Sequence, residues 1–181
     1  MKVFLLFVLV ICISLDLAAQ SDYGINKKGD TIRGKFKKGF FGDKWLETAE
    51  GKMDLDPREI SLYHDARNNQ TFCSRIIPES SRPVFLTRHI AGIINLYSYT
   101  VQYNNGRQQF SSTSWYAEKE GAGIGEIKTS GLRGGKNERK NFFRSLIADN
   151  SAVVKRFDED KKLKLALLQE LIEEYNRQAA E

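Results

Sequence analysis

The hydrophobic period of this chain changes once, and that change limits the fold more than any motif does. From Asp22 to about Lys128, short runs rich in Tyr, Phe, Ile, Val and Thr are separated by turn sequences: KKGD (27–30), FFGDK (40–44), AEGK (49–52), ARNNQ (66–70) and NNGR (104–107). Runs of this kind, bounded by Gly, Asn and Asp, are strands of an antiparallel sheet. From about Asn137 the turns stop and apolar residues recur at helical spacing, in ERKNFFRSLIAD and then in DEDKKLKLALLQELIEEYNRQ. Strands first and helices last argue for the α+β class rather than for alternating βαβ units. The expected fold is an N-terminal antiparallel β-sheet (a curved sheet, sandwich or partial barrel) followed by two C-terminal α-helices. Residues 22–128 are its β-rich part and 137–178 its helical part.

Two local patterns sharpen this. Asn105-Gly106 can take the two positive φ values of a type I′ turn, which allows a two-residue hairpin loop in YSYTVQYNNGRQQFSSTSWY. The register would then place Tyr103 opposite Gln108, Val101 opposite Phe110, Tyr99 opposite Ser112 and Tyr97 opposite Ser114. Tyr97, Tyr99, Val101 and Tyr103 would share one face. Tyrosine rings can stack on sugars, but strand preference and packing of one sheet face explain the stripe with fewer assumptions, and packing is the expectation. The last helix is expected to start near Asp158, where DEDKK puts acids at the positive end of the helix dipole. Leu165, Leu168, Ile172 and Tyr175 fall at offsets 0, 3, 7 and 10, and Leu167 and Leu171 widen the stripe. The sheet is its simplest target, because the pattern is too short for a coiled coil.

Met1 and Lys2 precede the apolar run VFLLFVLVICISL (Val3 to Leu15), and DLAAQ leads into polar sequence. A basic start, a short apolar core and small residues at the exit describe a secretory signal peptide, expected to span 1–20. The run is 13 residues long, short of the roughly 20 apolar residues needed to cross a bilayer. Ile11 before Cys12 argues against a lipid-attachment signal. About 160 residues would remain, 21–181, the usual size of one α+β domain, with no later membrane span. That chain keeps one cysteine, Cys73, in the strand-like run TFCSRII, so it is expected to be a buried small hydrophobe.

The net charge of +5 is uneven. Residues 27–38 hold six basic groups against one acid, among them Lys35, Lys37 and Lys38; residues 128–144 repeat that ratio and include Arg133 and Lys136. Either patch could meet an acidic glycan, a lipid headgroup or an envelope protein, although a solvated face is the simpler account. Export and the lack of a binding module argue against nucleic acid, and the single RGG at Arg133 to Gly135 is too short to count.

Catalytic patterns fail on spacing. In GAGIGEI the third glycine comes one position early for a dinucleotide loop, and no βαβ unit surrounds it. In GLRGGKN, Ser130 stands where the first glycine of a phosphate loop belongs, and Asn137 replaces the magnesium-binding hydroxyl. These glycines are expected to form a mobile loop between sheet and helices. His64 and His89 stand far apart and outside any metal motif, and Asp54, Asp56 and Glu59 around Pro57 lack calcium-loop spacing. A Ser-His-Asp triad is assembled in space, so sequence alone leaves it open, but no GxSxG is present. No cofactor, metal or catalytic residue is expected.

The segment YGINKKGDTIRGKF (Tyr23 to Phe36) resembles the GYIxxxxGDTIxGxI start of a group of uncharacterised exported proteins of Bacteroidetes-type Gram-negative bacteria. Those proteins also end in a charged, leucine-rich helix running into a Tyr-Asn pair, here Tyr175-Asn176. The resemblance implies an exported chain that is periplasmic, outer-membrane associated or extracellular, and it implies no activity. The expectation is a non-catalytic protein that binds a partner or serves envelope structure. A small amphiphile carrier with a pocket in the sheet is the alternative, and an envelope-polymer hydrolase a weaker one. The ligand candidates are Tyr97, Tyr99, Tyr103, Lys35, Lys37, Lys38, Arg133 and Lys136. N-terminal sequencing of the protein recovered from the envelope should begin at Gln20 or Ser21; a chain still beginning at Met1 would contradict export.

Overall fold

The computed structural model describes residues 21–40, 42–104, 106, 108–131, 134–160 and 162–179. The signal segment, Asn105 and Arg133 lie outside the described residues. The architecture is α+β, mostly antiparallel strands with helices toward the C-terminus. No helix among the described residues is long and apolar enough to cross a membrane. The chain divides into two compact units, the first ending at Ser74 and the second beginning at Arg75.

The first unit contains β1 (Tyr23–Asn26), β2 (Thr31–Arg33), β3 (Lys35–Lys38), β4 (Lys44–Thr48), β5 (Gly51–Asp54), β6 (Ile60–Asp65) and β7 (Gln70–Arg75). Neighbouring strands run in the order β7-β6-β1-β2, and β3-β4-β5 form a separate small sheet. All pair antiparallel. The KKGD turn forms because Gly29 takes φ 93° and the Asn26 side chain accepts the backbone N–H of Lys28 and Asp30, both at 2.9 Å. Tyr63 anchors the interior, fully buried, with its ring stacked on Phe36 at 5.7 Å and Phe72 at 4.5 Å. Lys44 closes this stack, its ammonium 5.0 Å from the Phe72 ring centre and 3.1 Å from the Tyr63 hydroxyl. Asp22 ties the layers together by accepting the backbone N–H of Phe36 and of Ala66, each at 2.7 Å. Cys73 is buried, as expected for a small hydrophobe.

The second unit holds β8 (Val84–Ile90), β9 (Ile94–Asn104), β10 (Gln109–Lys119) and β11 (Gly123–Thr129), ordered β11-β10-β9-β8. Three helices follow: α1 (Lys136–Leu146), α2 (Ser151–Glu159) and α3 (Leu165–Gln178). One sheet face presents Ile94, Leu96, Ala117 and Ile127, and the helices cover it with Phe143, Leu146, Phe157, Leu168 and Ile172, all essentially buried. Asn176 fixes α3 to the start of β9: its amide accepts the Ile94 N–H and donates to the Ile94 carbonyl, both at 2.8 Å. Beside it, the Lys119 ammonium reaches the Leu146 carbonyl at 3.0 Å, Asp149 at 2.8 Å and the Tyr175 hydroxyl at 2.7 Å, and that hydroxyl donates to Asp149 at 2.8 Å. Burial alone would lower the Lys119 ammonium, but its bonds to Asp149 and Tyr175 outweigh this and hold it above its ordinary value.

Three expectations need correction. The helical tail is divided once more than its periodicity predicts. Asp158 and Glu159 do not open the last helix; they close α2, whose start is capped by Asn150 accepting the Val153 N–H at 3.1 Å. Asp160 and residues 162–164 are not helical, and Leu163 turns into the core, 3% exposed, with φ 50°. The β9–β10 register is shifted by two residues: Tyr103 faces Phe110, Val101 faces Ser112, Tyr99 faces Ser114 and Tyr97 faces Tyr116. The loop therefore holds four residues between Asn104 and Gln109, with the Asn104 side chain accepting the Gly106 N–H at 2.8 Å. A shift of two keeps every side chain on its expected face. Finally, Gly121 and Gly123, with φ 80° and 75°, turn the β10–β11 hairpin, and Gly125 lies within β11, where a Cβ would come 2.5 Å from the Phe142 ring. The GAGIGEI part of the expected loop is thus a hairpin turn and a strand under a helix, whereas Gly131, Gly134 and Gly135 lie between β11 and α1 as expected.

Leu168 is fully buried, so Leu168→Ala should cost about 2–5 kcal/mol of unfolding free energy; an unchanged denaturation midpoint would mean that α3 is not packed as described. The hydrogen bond from Lys119, aided by that from Tyr175, holds the Asp149 carboxyl below its ordinary value. A depressed carboxylate adds stability above its unfolded pKa and loses it as pH falls through the folded one, so this contribution should fade below about pH 4. The midpoint difference between the protein and Asp149→Asn should therefore be present at neutral pH and vanish in acid. A difference that is flat with pH would contradict the assignment.

Candidate functional site: a tyrosine-lined cleft on the uncovered sheet face

Alternation along β9 and β10 sends the Ile94 and Leu96 set to the helices and the Tyr97, Tyr99, Val101 and Tyr103 set to the other face. The four do not share one role. Tyr97 is fully buried; its hydroxyl donates to Glu118 at 2.7 Å and accepts from Arg75 at 3.2 Å, while Arg75 pairs with Glu118 at 2.8 Å. This is a packed, hydrogen-bonded network, the structural role expected of the stripe. Toward the hairpin tip the face opens. Tyr103 is 56% exposed and Phe110, directly opposite, is 50% exposed.

Between these ends lies a cavity of about 310 Å³, lined chiefly by Tyr99, Tyr103, Tyr116, Ser112, Ser114 and Glu79. That is near the lower end of small-molecule pockets, about 300–1,000 Å³. One wall comes from the segment after β7, where Ile77 is buried and the Ser80 N–H closes a turn on the Ile77 carbonyl at 2.9 Å. The turn brings Glu79 to Tyr116, whose hydroxyl donates to the Glu79 carboxylate at 3.1 Å. Burial, with the Glu79 charge beside it, pushes the Tyr116 phenol far above its ordinary value, so it serves as a donor and not as an acid. Among the described residues that line the cavity, Glu79 is the one with a charge.

Within the first unit, the lysine candidates of β3 do not share one face. Lys35 and Lys37 share one face of β3 and Lys38 the other. Lys37 pairs with Glu47 at 3.4 Å, and Lys38 stands opposite Lys44. Burial and the charge of Lys38 lower the Lys44 ammonium. In the 128–144 segment, Lys128 donates to the Leu163 carbonyl, Arg139 to the Gly134 carbonyl, and Arg144 pairs with Asp158. Lys136 is exposed at the first position of α1.

The histidines take structural partners. His64 Nδ1 lies 3.0 Å from the Thr71 hydroxyl and its ring stacks on Tyr23. His89 Nε2 lies 2.8 Å from the Ser98 hydroxyl, the first two members of a triad, with burial lowering the imidazole pKa. Among the described residues no carboxylate orients His89. Its ring instead lies against Trp115 at 4.7 Å, and Ser98 is only 9% exposed, out of reach of a substrate carbonyl. No group of three or more His, Cys, Asp or Glu among the described residues could hold a metal ion.

Glu79, Ser112, Ser114 and Tyr116 were not candidates from sequence. Ser112, Ser114 and Tyr116 have a signal in the chain, being the cross-strand partners of the tyrosine stripe once the register is fixed. Glu79 has none, because a tertiary turn delivers it. No family model, no curated protein and no solved structure matches the chain.

Because Gly106 takes φ 80° at the tip of the hairpin that carries the cleft, Gly106→Val should cost about 1 kcal/mol or more of stability. An unchanged midpoint would mean the turn is misplaced.

Proposed function

We propose that this is an exported, non-catalytic binding protein of the cell envelope whose second unit holds a small ligand in the tyrosine-lined cleft. The observation that carries the reading is the split of one strand face into a buried, hydrogen-bonded Tyr97 and a half-buried Tyr99 and exposed Tyr103 that line a cavity. Packing needs account for the first tyrosine and leave the other two without a structural task, which favours recognition. The apolar leader sequence supports export. The amphiphile carrier is the weaker reading, because an acyl chain in this cleft would strip water from the hydroxyls of Ser112, Ser114 and Tyr99 without replacing its hydrogen bonds. An anionic polymer held by the lysines is weaker still, since Lys35, Lys37 and Lys38 split between two faces.

Native mass spectrometry of the protein purified from its own envelope tests the proposal. A small-molecule adduct on the wild type that is lost in Tyr99→Ala, at an unchanged charge-state envelope, is the expected result. Ligand-free wild type, or an adduct indifferent to Tyr99, would overturn it.

A further inference from the structure

We propose that the tip of the β3–β4 hairpin docks end-on into an anionic lipid surface, with Phe40 entering the boundary between headgroups and acyl chains and the lysines behind it meeting phosphates. The site belongs to the first unit and stands apart from the cleft. The Gly42 N–H donates to the Gly39 carbonyl at 3.1 Å, the Gly39 N–H donates to the Asp43 carbonyl at 2.8 Å, and Gly42 takes φ 90°. Phe40 therefore occupies the first central position of a tight turn, where Gly, Pro, Asn, Asp and Ser are the usual residues. It is 97% exposed, and among the described residues of the first unit no other large apolar side chain is exposed. Folding leaves nearly the whole ring in water, so its apolar area is available to a second body.

The surroundings of the ring say which body fits. A hot spot for a protein partner sits among further apolar contacts that exclude water. Phe40 stands among charges instead: residues 35–47 hold four lysines against Asp43 and Glu47. Lys37 pairs with Glu47 at 3.4 Å and Lys44 turns its ammonium to the Tyr63 hydroxyl, while Lys35 and Lys38 are exposed. Lys38 faces Lys44 in the last strand pair before the turn, an opposition of like charges that a phosphate relieves. The Asp43 carboxylate lies back against Gly39, where a Cβ would collide with it. End-on docking brings the lysines of both β3 faces to the headgroup plane together. Lys38 lies one row and Trp45, opposite Lys37, two rows behind the turn, about 3 and 7 Å along the strands. Interfacial groups bury roughly 5–10 Å deep, and indole rings settle at headgroup level, so Phe40 leads, Lys38 follows and the half-buried Trp45 sits at the surface.

Co-sedimentation of the protein with vesicles of phosphatidylcholine and phosphatidylglycerol tests this, with pure phosphatidylcholine as the neutral surface. The protein should bind the anionic vesicles more tightly than the neutral ones, and salt should narrow the difference. Phe40→Ser should weaken binding about tenfold, as expected for withdrawing one aromatic ring from the boundary, and Phe40→Trp should restore it. Lys38→Ser should weaken binding to the anionic vesicles about fivefold and leave the neutral ones unaffected. Phe40 is almost fully exposed, so an unchanged unfolding midpoint keeps its variants interpretable. No binding to the anionic vesicles overturns the inference, as does equal binding to both surfaces or binding indifferent to Phe40→Ser. Photo-crosslinking from position 40 to a protein rather than to lipid in intact envelopes would overturn it in favour of a protein partner. None of these outcomes bears on the adduct that Tyr99→Ala removes, so the tip and the cleft fail separately.

Discussion

The two-residue period of the β9–β10 pair is the constraint on which the second unit depends. Because successive side chains point to opposite faces, one hairpin commits Ile94, Leu96 and Ala117 to the helices and Tyr97, Tyr99 and Tyr103 to the other side. A one-residue slip would put tyrosine hydroxyls under α3 and apolar side chains in water, so burial of the helix-side core holds the register. The same alternation lines the cleft, since Ser112, Ser114 and Tyr116 come from the facing strand in the same phase. Fold and site are two faces of one pairing.

That pairing is held by polar contacts at the end away from the hairpin tip, where Ile94 pairs with Lys119. Asn176 reads both main-chain groups of Ile94 where β9 begins, and Lys119 at the end of β10 gathers Leu146, Asp149 and Tyr175. A flat helix–sheet interface of Leu and Ile specifies contact but leaves sliding open; hydrogen bonds between particular atoms fix the position. The excess positive charge plays no comparable part. Lys128, Arg139 and Arg144 serve local carbonyls and carboxylates, and the lysines of β3 divide between faces.

Much of the fold is legible in the sequence because the deciding forces are local. KKGD falls between β1 and β2; FFGDK, AEGK, ARNNQ and NNGR each sit at the junction of two consecutive strands, and Thr31 begins the return strand after Gly29-Asp30 as the segment suggests. The switch to helix near Asn137 is equally local. What escaped depends on tertiary contact. Acids at Asp158 and Glu159 read as a helix start, whereas Asn150 caps the helix before them and Leu163 must break the chain to reach the core. Gly125 reads as loop because the Phe142 ring that needs its missing Cβ lies far along the chain. The hairpin register slipped by two because the Asn104 side chain builds a longer loop, an error that leaves faces intact. Of the site, Tyr99 and Tyr103 were legible and Tyr97 proved structural, while Glu79 arrives through a turn that no periodicity encodes.

The central claim is that one tyrosine stripe divides into a structural member and ligand-facing members. Nitration by tetranitromethane, mapped by peptide mass spectrometry with and without the retained ligand, tests this most directly. Tyr103 should react readily in the ligand-free protein and be protected when ligand is present, with Tyr97 and Tyr116 inert in both states. Equal reactivity of Tyr97 and Tyr103, or a Tyr103 indifferent to ligand, would contradict the account.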